Sequence, residues 1–152
     1  FKSININHIN NCKREDINPS GSTALYDAIG NTINYFIEKK RRNEEAYNTC
    51  LVYVITDGLE NASKKYDNNK LKQIINIAES NYNITILYLG ANQDAILEAS
   101  KFGVCNDRAM SFNENARSLP NLYRSISASA KRSLSGAEVN FTEMERIQSQ
   151  VQ

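Results

Sequence analysis

Leu51-Val52-Tyr53-Val54-Ile55-Thr56-Asp57-Gly58 is the stretch that decides the fold: five β-prone apolar residues in a row, stopped by a polar turn. A strand that alternates apolar and polar residues has one dry face, whereas an uninterrupted apolar run fits a strand covered on both faces. The run therefore reads as a central strand of a parallel sheet, ending at Thr56.

Working outward, both neighbours have helical periodicity. Upstream, a polar loop with Asn18-Pro19-Ser20-Gly21 gives way to Leu25, Ile29, Ile33, Phe36 and Ile37 on one helical face. Its last turn carries Lys39, Lys40, Arg41 and Arg42, where positive charge meets the negative end of the helix dipole. Downstream, Leu71, Ile74, Ile75 and Ala78 form a second apolar stripe, and Ile84 to Leu89 is another apolar strand closed by Gly90.

Ile96, Leu97 and Phe102 predict a short helix, Ala109 to Phe112 a short strand, and Leu122, Ile126, Ala130 and Leu134 a final helix. At the other end, Lys2 to Ile9 alternates apolar and polar residues as an edge strand does. The order is β-α-β-α-β-α-β-α, which predicts an α/β fold: a Rossmann-like, doubly wound, mostly parallel sheet. Residues 1–136 read as one domain, and 137–152 as a polar tail that is either a short helix or disordered.

Composition narrows the function classes. The chain has 152 residues with a formal charge of +1, which gives no broad field to attract nucleic acid or anionic lipid. No apolar run approaches the roughly 20 residues that span a bilayer. Cys12, Cys50 and Cys105 are odd in number and without a CxxC pair, so a reducing, cytoplasmic setting is expected. Asparagine makes up about one residue in seven, a compositional bias rather than a motif.

In a doubly wound sheet, ligands bind beyond the C-terminal ends of the strands. Two segments fall there: Gly21-Ser22-Thr23-Ala24-Leu25-Tyr26-Asp27-Ala28-Ile29 and Val54-Ile55-Thr56-Asp57-Gly58-Leu59-Glu60-Asn61. Both closely resemble signature segments of the von Willebrand factor A family. Tyr88-Leu89-Gly90-Ala91-Asn92-Gln93-Asp94-Ala95 and Lys101-Phe102-Gly103-Val104 resemble a microbial and phage-associated branch of it, so the resemblance runs from about residue 10 to about residue 112.

The resemblance implies a metal-ion-dependent adhesion site. In that family it is built from Asp-x-Ser-x-Ser, a threonine and a later aspartate; Thr23 and Asp57 match the second and third parts. Ser22, Asp27, Glu60, Asn61, Asn92 and Asp94 are rim candidates. The ion would be Mg2+, with Mn2+ or Ca2+ as substitutes, and the partner a protein presenting an Asp or Glu carboxylate.

No Asp-x-Ser-x-Ser follows an apolar strand in this chain, and Ser125-Ile126-Ser127-Ala128-Ser129 lacks the leading carboxylate and sits in a helical pattern. The resemblance therefore implies that the family's N-terminal strands, including its central one, are missing here. Either the chain is the C-terminal portion of a longer polypeptide, the favoured explanation, or another chain supplies those strands. One hydroxyl and one carboxylate fall short of the six oxygens Mg2+ prefers, so binding by this chain alone is expected to be weak or absent.

Taken singly, Thr23 reads equally as a helix cap, Asp57-Gly58 as a strand-ending turn, and Asp94 as a cap of its own helix. An enzyme is not expected. The one histidine, His8, lies in the asparagine-rich edge segment, and no GxxxxGK[ST] or GxGxxG loop occurs. The acidic pair expected beside a receiver-type aspartate is absent. The competing function is a metal-independent structural or assembly subunit, by self-association or strand complementation.

Overall fold

The computed structural model describes residues 6–8, 13, 15, 21–43, 47–91 and 94–151. Its elements are α1 (Leu25–Arg41), β1 (Cys50–Thr56), α2 (Asn68–Tyr82), β2 (Ile84–Ala91), α3 (Ala95–Lys101), β3 (Ala109–Phe112), α4 (Ser118–Leu134) and α5 (Glu143–Ser149). The three strands form a parallel sheet in the order β1-β2-β3. The fold is thus α/β with five helices among the described residues, compatible with a Rossmann-like architecture.

Each strand divides its side chains between two cores because successive residues point to opposite faces. Val52, Val54, Ile86 and Tyr88 meet α1, α2 and α3 through Ile29, Ile33, Leu71, Ile75, Ala99 and Phe102. On the other face, Leu87, Leu89, Met110 and Phe112 pack with Leu122 of α4 and with Phe141. Tyr53 bridges from β1 to α4, its hydroxyl 2.7 Å from Ser129 Oγ.

Local chemistry sets the turns. Asp67 caps α2 by accepting from the Lys70 N–H at 2.8 Å. Asn83 ends that helix in the left-handed region, φ 53°, a conformation asparagine tolerates, and the chain turns at once into β2. At Gly30 a Cβ would stand 2.6 Å from the Tyr66 ring, so only glycine lets the loop after β1 lie this close to α1.

Several expectations need correcting. Among the described residues β2, not β1, is the middle strand: no described strand pairs with the outer edge of β1, and Ile55 is 50% exposed. The apolar run of β1 nonetheless reads as fully covered, because sequence cannot say which neighbours are present. The edge strand expected over Lys2–Ile9 lies mostly outside the described residues, and its described part, Ile6–His8, is a 3-10 turn. Asparagine side chains compete locally for backbone hydrogen bonds and favour turns.

In α3 the inward residues are Ala95 and Ala99, followed by Phe102, while Ile96 and Leu97 face outward. Small residues let this short helix lie flat on the sheet edge. In α4 the buried stripe is Ser118, Leu122, Ser125 and Ser129, and Leu134 is 88% exposed. The serines are tolerated because their hydroxyls have partners, Ser125 to the Asn121 carbonyl and Ser129 to Ile126 and Tyr53.

The segment after residue 136 is helical in α5, started by a capping box in which Thr142 and Glu145 each satisfy the other's backbone N–H. Arg132 of α4 clamps Glu145 through its two terminal guanidinium nitrogens at 3.1 and 3.0 Å. Among the described residues no helix is long and apolar enough to cross a membrane.

Candidate functional site at the C-terminal end of β1

The parallel register pairs Thr56 with Gly90, so β1 and β2 end side by side and the loops after them share one edge of the sheet. The loop after β1 and the N-terminus of α1 are joined there by a closed set of hydrogen bonds. Thr23 N–H donates to Asn61 Oδ1 at 2.8 Å, and the Asn61 N–H returns to the Thr23 carbonyl at 3.1 Å. Tyr26 N–H donates to Glu60 Oε2 at 2.8 Å and Asp27 N–H to Ser63 Oγ at 3.0 Å.

α1 therefore does not cap itself. Its N-cap residue, Ala24, offers no side-chain acceptor, and the orphan N–H groups of the first turn are met by a carboxylate and a hydroxyl from another loop. Glu60 suits the positive end of the helix. It also accepts from Ala62 N–H at 2.8 Å, Ser63 N–H at 2.6 Å and Ser63 Oγ at 2.7 Å. Burial opposes its ionisation, but the Ser63 hydroxyl and the N–H groups of Ser63, Tyr26 and Ala62 outweigh that and hold its pKa below the usual glutamate value.

Asp27 returns the favour from α1. Its two oxygens accept from the N–H groups of Lys64, Lys65 and Tyr66, each at 2.9 Å. Those of Lys64 and Tyr66 contribute most to holding its pKa below the usual aspartate value.

The two central candidates stand apart from this scaffold. The turn after β1 is folded by Thr56, whose hydroxyl donates to the Gly58 carbonyl at 2.9 Å and accepts from Gly58 N–H at 3.2 Å. Asp57 itself is exposed, and its carboxylate has no hydrogen bond or ion pair among the described residues. The Thr23 hydroxyl is not the cap of α1; it lies over the same turn, 3.0 Å from where a Cβ on Gly58 would be. The Thr23 hydroxyl thus lies against the turn that Asp57 begins, 34 positions further along the chain, and it does not cap α1.

The remaining candidates divide. Asn61, Glu60 and Asp27 belong to the scaffold that fixes the loops, so their oxygens are already engaged. Ser22 is exposed just ahead of Thr23. Asp94 caps α3, accepting from Leu97 N–H at 3.0 Å, and Asn92 lies outside the described residues. Reading the sequence missed Ser63 and Thr56; the Glu60-x-x-Ser63 spacing and a threonine two positions before Gly58 were the available signals.

As a metal site the donor set fits only in part. Among the described residues no group of three or more His, Cys, Asp or Glu side chains converges. A hard cation here would find one hydroxyl and one carboxylate from this scaffold, with further oxygens needed to fill its shell. Comparison of the chain with protein-family models, with curated proteins and with solved structures gave no match.

Proposed function

We propose that this chain is the C-terminal portion of a von Willebrand factor A domain and works as a protein-interaction module rather than an enzyme. Thr23 and Asp57 supply part of a metal-ion-dependent adhesion site, and a divalent cation, Mg2+ by preference or Mn2+ or Ca2+, links them to an Asp or Glu of a protein partner. The cation supplies a positive centre that two carboxylates share. The observation that supports the reading is an exposed Asp57 with no hydrogen bond or ion pair among the described residues, next in sequence to Gly58, over which the Thr23 hydroxyl lies, on a loop that Glu60, Asn61 and Asp27 hold in place.

Waters, the partner's carboxylate and further protein oxygens complete the shell, so affinity for the bare ion is low. The odd number and wide spacing of Cys12, Cys50 and Cys105 suit a reducing, cytoplasmic setting, which is part of this reading. The test is retention of the protein on immobilised Asp- and Glu-containing peptides in millimolar Mg2+. Retention lost on chelation, and lost in Asp57→Ala and Thr23→Val, supports the site; retention indifferent to both refutes it.

A second reading has its own observation. Ile55, half exposed near the end of β1, favours a structural or assembly subunit whose sheet another strand completes, independent of metal. Under that reading, concentration-dependent association persists in chelator and is abolished by Ile55→Lys.

A further inference from the structure

A surface helix ordinarily turns its apolar side to the core, but α5 turns its polar side inward. Arg146 donates to the Asn106 and Ala109 carbonyls at 3.0 and 2.6 Å, the buried Ser149 hydroxyl donates to the Ser111 carbonyl at 2.7 Å, and Arg132 holds Glu145. Met144 and Ile147, three positions apart on the opposite side, are 61% and 57% exposed, and Val151 just past the helix is exposed as well. Hydrogen bonds to β3 and its flanks thus seat α5, and its apolar residues are left facing outward.

Helix α4 offers a surface that matches them. Pro120, Tyr123, Arg124, Ser127, Ala128 and Lys131 line a groove of about 340 Å3, part apolar and part cationic. Between Ser118 and Ala137 the chain has no Asp or Glu, so this side of the protein is positive. Arg124 gives one donor to Asn121 Oδ1 at 2.7 Å and keeps others, and Lys131 has no ion pair among the described residues. Around α5 the sign is reversed: Glu138 and Glu143 are exposed and have no ion pair among the described residues.

We infer that the outward side of α5 docks into the α4 groove of a second copy of this chain. The two helices lie side by side and antiparallel, tied by Arg132 to Glu145 near one end and by Asn121 to the Gln148 carbonyl near the other. A two-fold axis therefore sets α5 of each copy on α4 of the other and makes the contact twice. The doubling matters because a stable interface needs about 800 Å2 from each partner, more than Met144, Ile147 and Val151 offer alone. Met144 and Ile147 fill the groove, and Glu143 meets Lys131 at its rim. Pairing α4 with α4 would instead set cation against cation. The interface uses neither Thr23 and Asp57 nor the edge of β1.

The experiment is sedimentation velocity of the intact chain in chelator, from low micromolar to several hundred micromolar protein. A monomer–dimer equilibrium is expected, weakened about tenfold in Ile147→Ser and in Tyr123→Ser, because each substitution is met twice across the axis. Lys131→Glu and Glu143→Lys should each weaken it likewise, and the variant carrying both should recover most of the loss. All four positions are exposed, so circular dichroism should show an unchanged fold. Ile55→Lys should leave the dimer intact, which separates this interface from strand pairing at β1. A monomer at every concentration, an association that Ile55→Lys abolishes and Ile147→Ser does not, or a double charge variant no tighter than its single parents overturns the inference.

Discussion

Replacing Glu60 by alanine removes one side chain that four donors share, two in the loop backbone, one in the first turn of α1 and one on Ser63. Losing the acceptor at the helix terminus costs about 1 kcal/mol, the usual effect of an N-cap. The half-buried loop N–H groups and the Ser63 hydroxyl lose about 1 kcal/mol more, since water replaces part of what they give up. About 2 kcal/mol in a chain of this length corresponds to a drop in Tm of about 4–8 °C. Thermal unfolding followed by circular dichroism measures it. Glu60→Gln keeps an acceptor oxygen but not the charge, so it should fall between wild type and Glu60→Ala. A Glu60→Ala Tm within about 1 °C of wild type would refute the claim that this carboxylate ties the loop to α1.

The same scaffold should be acid-labile. Asp27 and Glu60 both have folded pKa values below their ordinary ones, so their contribution is fully present above about pH 4–4.5 and is lost as pH falls through the lower folded values. Tm measured down to about pH 2 should therefore fall less steeply in Asp27→Asn than in wild type; parallel curves would contradict this. Gly58→Ala places a Cβ 3.0 Å from Thr23 Oγ1 and should lower Tm by about 2–4 °C, about 1 kcal/mol of crowding, with no effect expected if the two loops are apart in solution. Tyr53→Phe removes the hydroxyl that meets Ser129 and the Ile126 carbonyl, and urea denaturation should show a loss of about 1 kcal/mol, an unchanged midpoint arguing against the β1–α4 bridge.

The strands and long helices were legible because their apolar residues recur at the spacing of the element. The stripes at Leu25, Ile29, Ile33 and Ile37 and at Leu71, Ile75 and Ala78 are buried as their periodicity requires. Periodicity misled where apolar residues are not the ones that pack: α3 buries its alanines, and α4 buries serines whose hydroxyls find backbone and tyrosine partners. Strand rank was beyond reach, because an apolar run looks the same in the middle of a sheet as at an edge whose neighbour is elsewhere.

For the site, the position of Asp57 beyond the end of β1 was legible in the sequence, whereas the approach of Thr23 to that turn depends on the hydrogen bonds that Asn61 and Glu60 make to the start of α1. The sorting of carboxylates into engaged and unengaged was not readable. Asp27, Glu60, Asp57 and Asp94 are chemically alike in sequence, and only the backbone donors of the loop after β1 and of α3 separate the scaffold from the candidate ligand.

The most direct test of the central claim is paramagnetic broadening of backbone amide resonances as Mn2+ is titrated into the isotopically labelled chain. The account expects weak binding, with the amides of Thr23, Asp57 and Gly58 broadening first, relieved by excess Mg2+ and abolished in Asp57→Asn. Broadening that begins elsewhere, or that survives Asp57→Asn unchanged at these amides, would contradict a metal-assisted site at the end of β1.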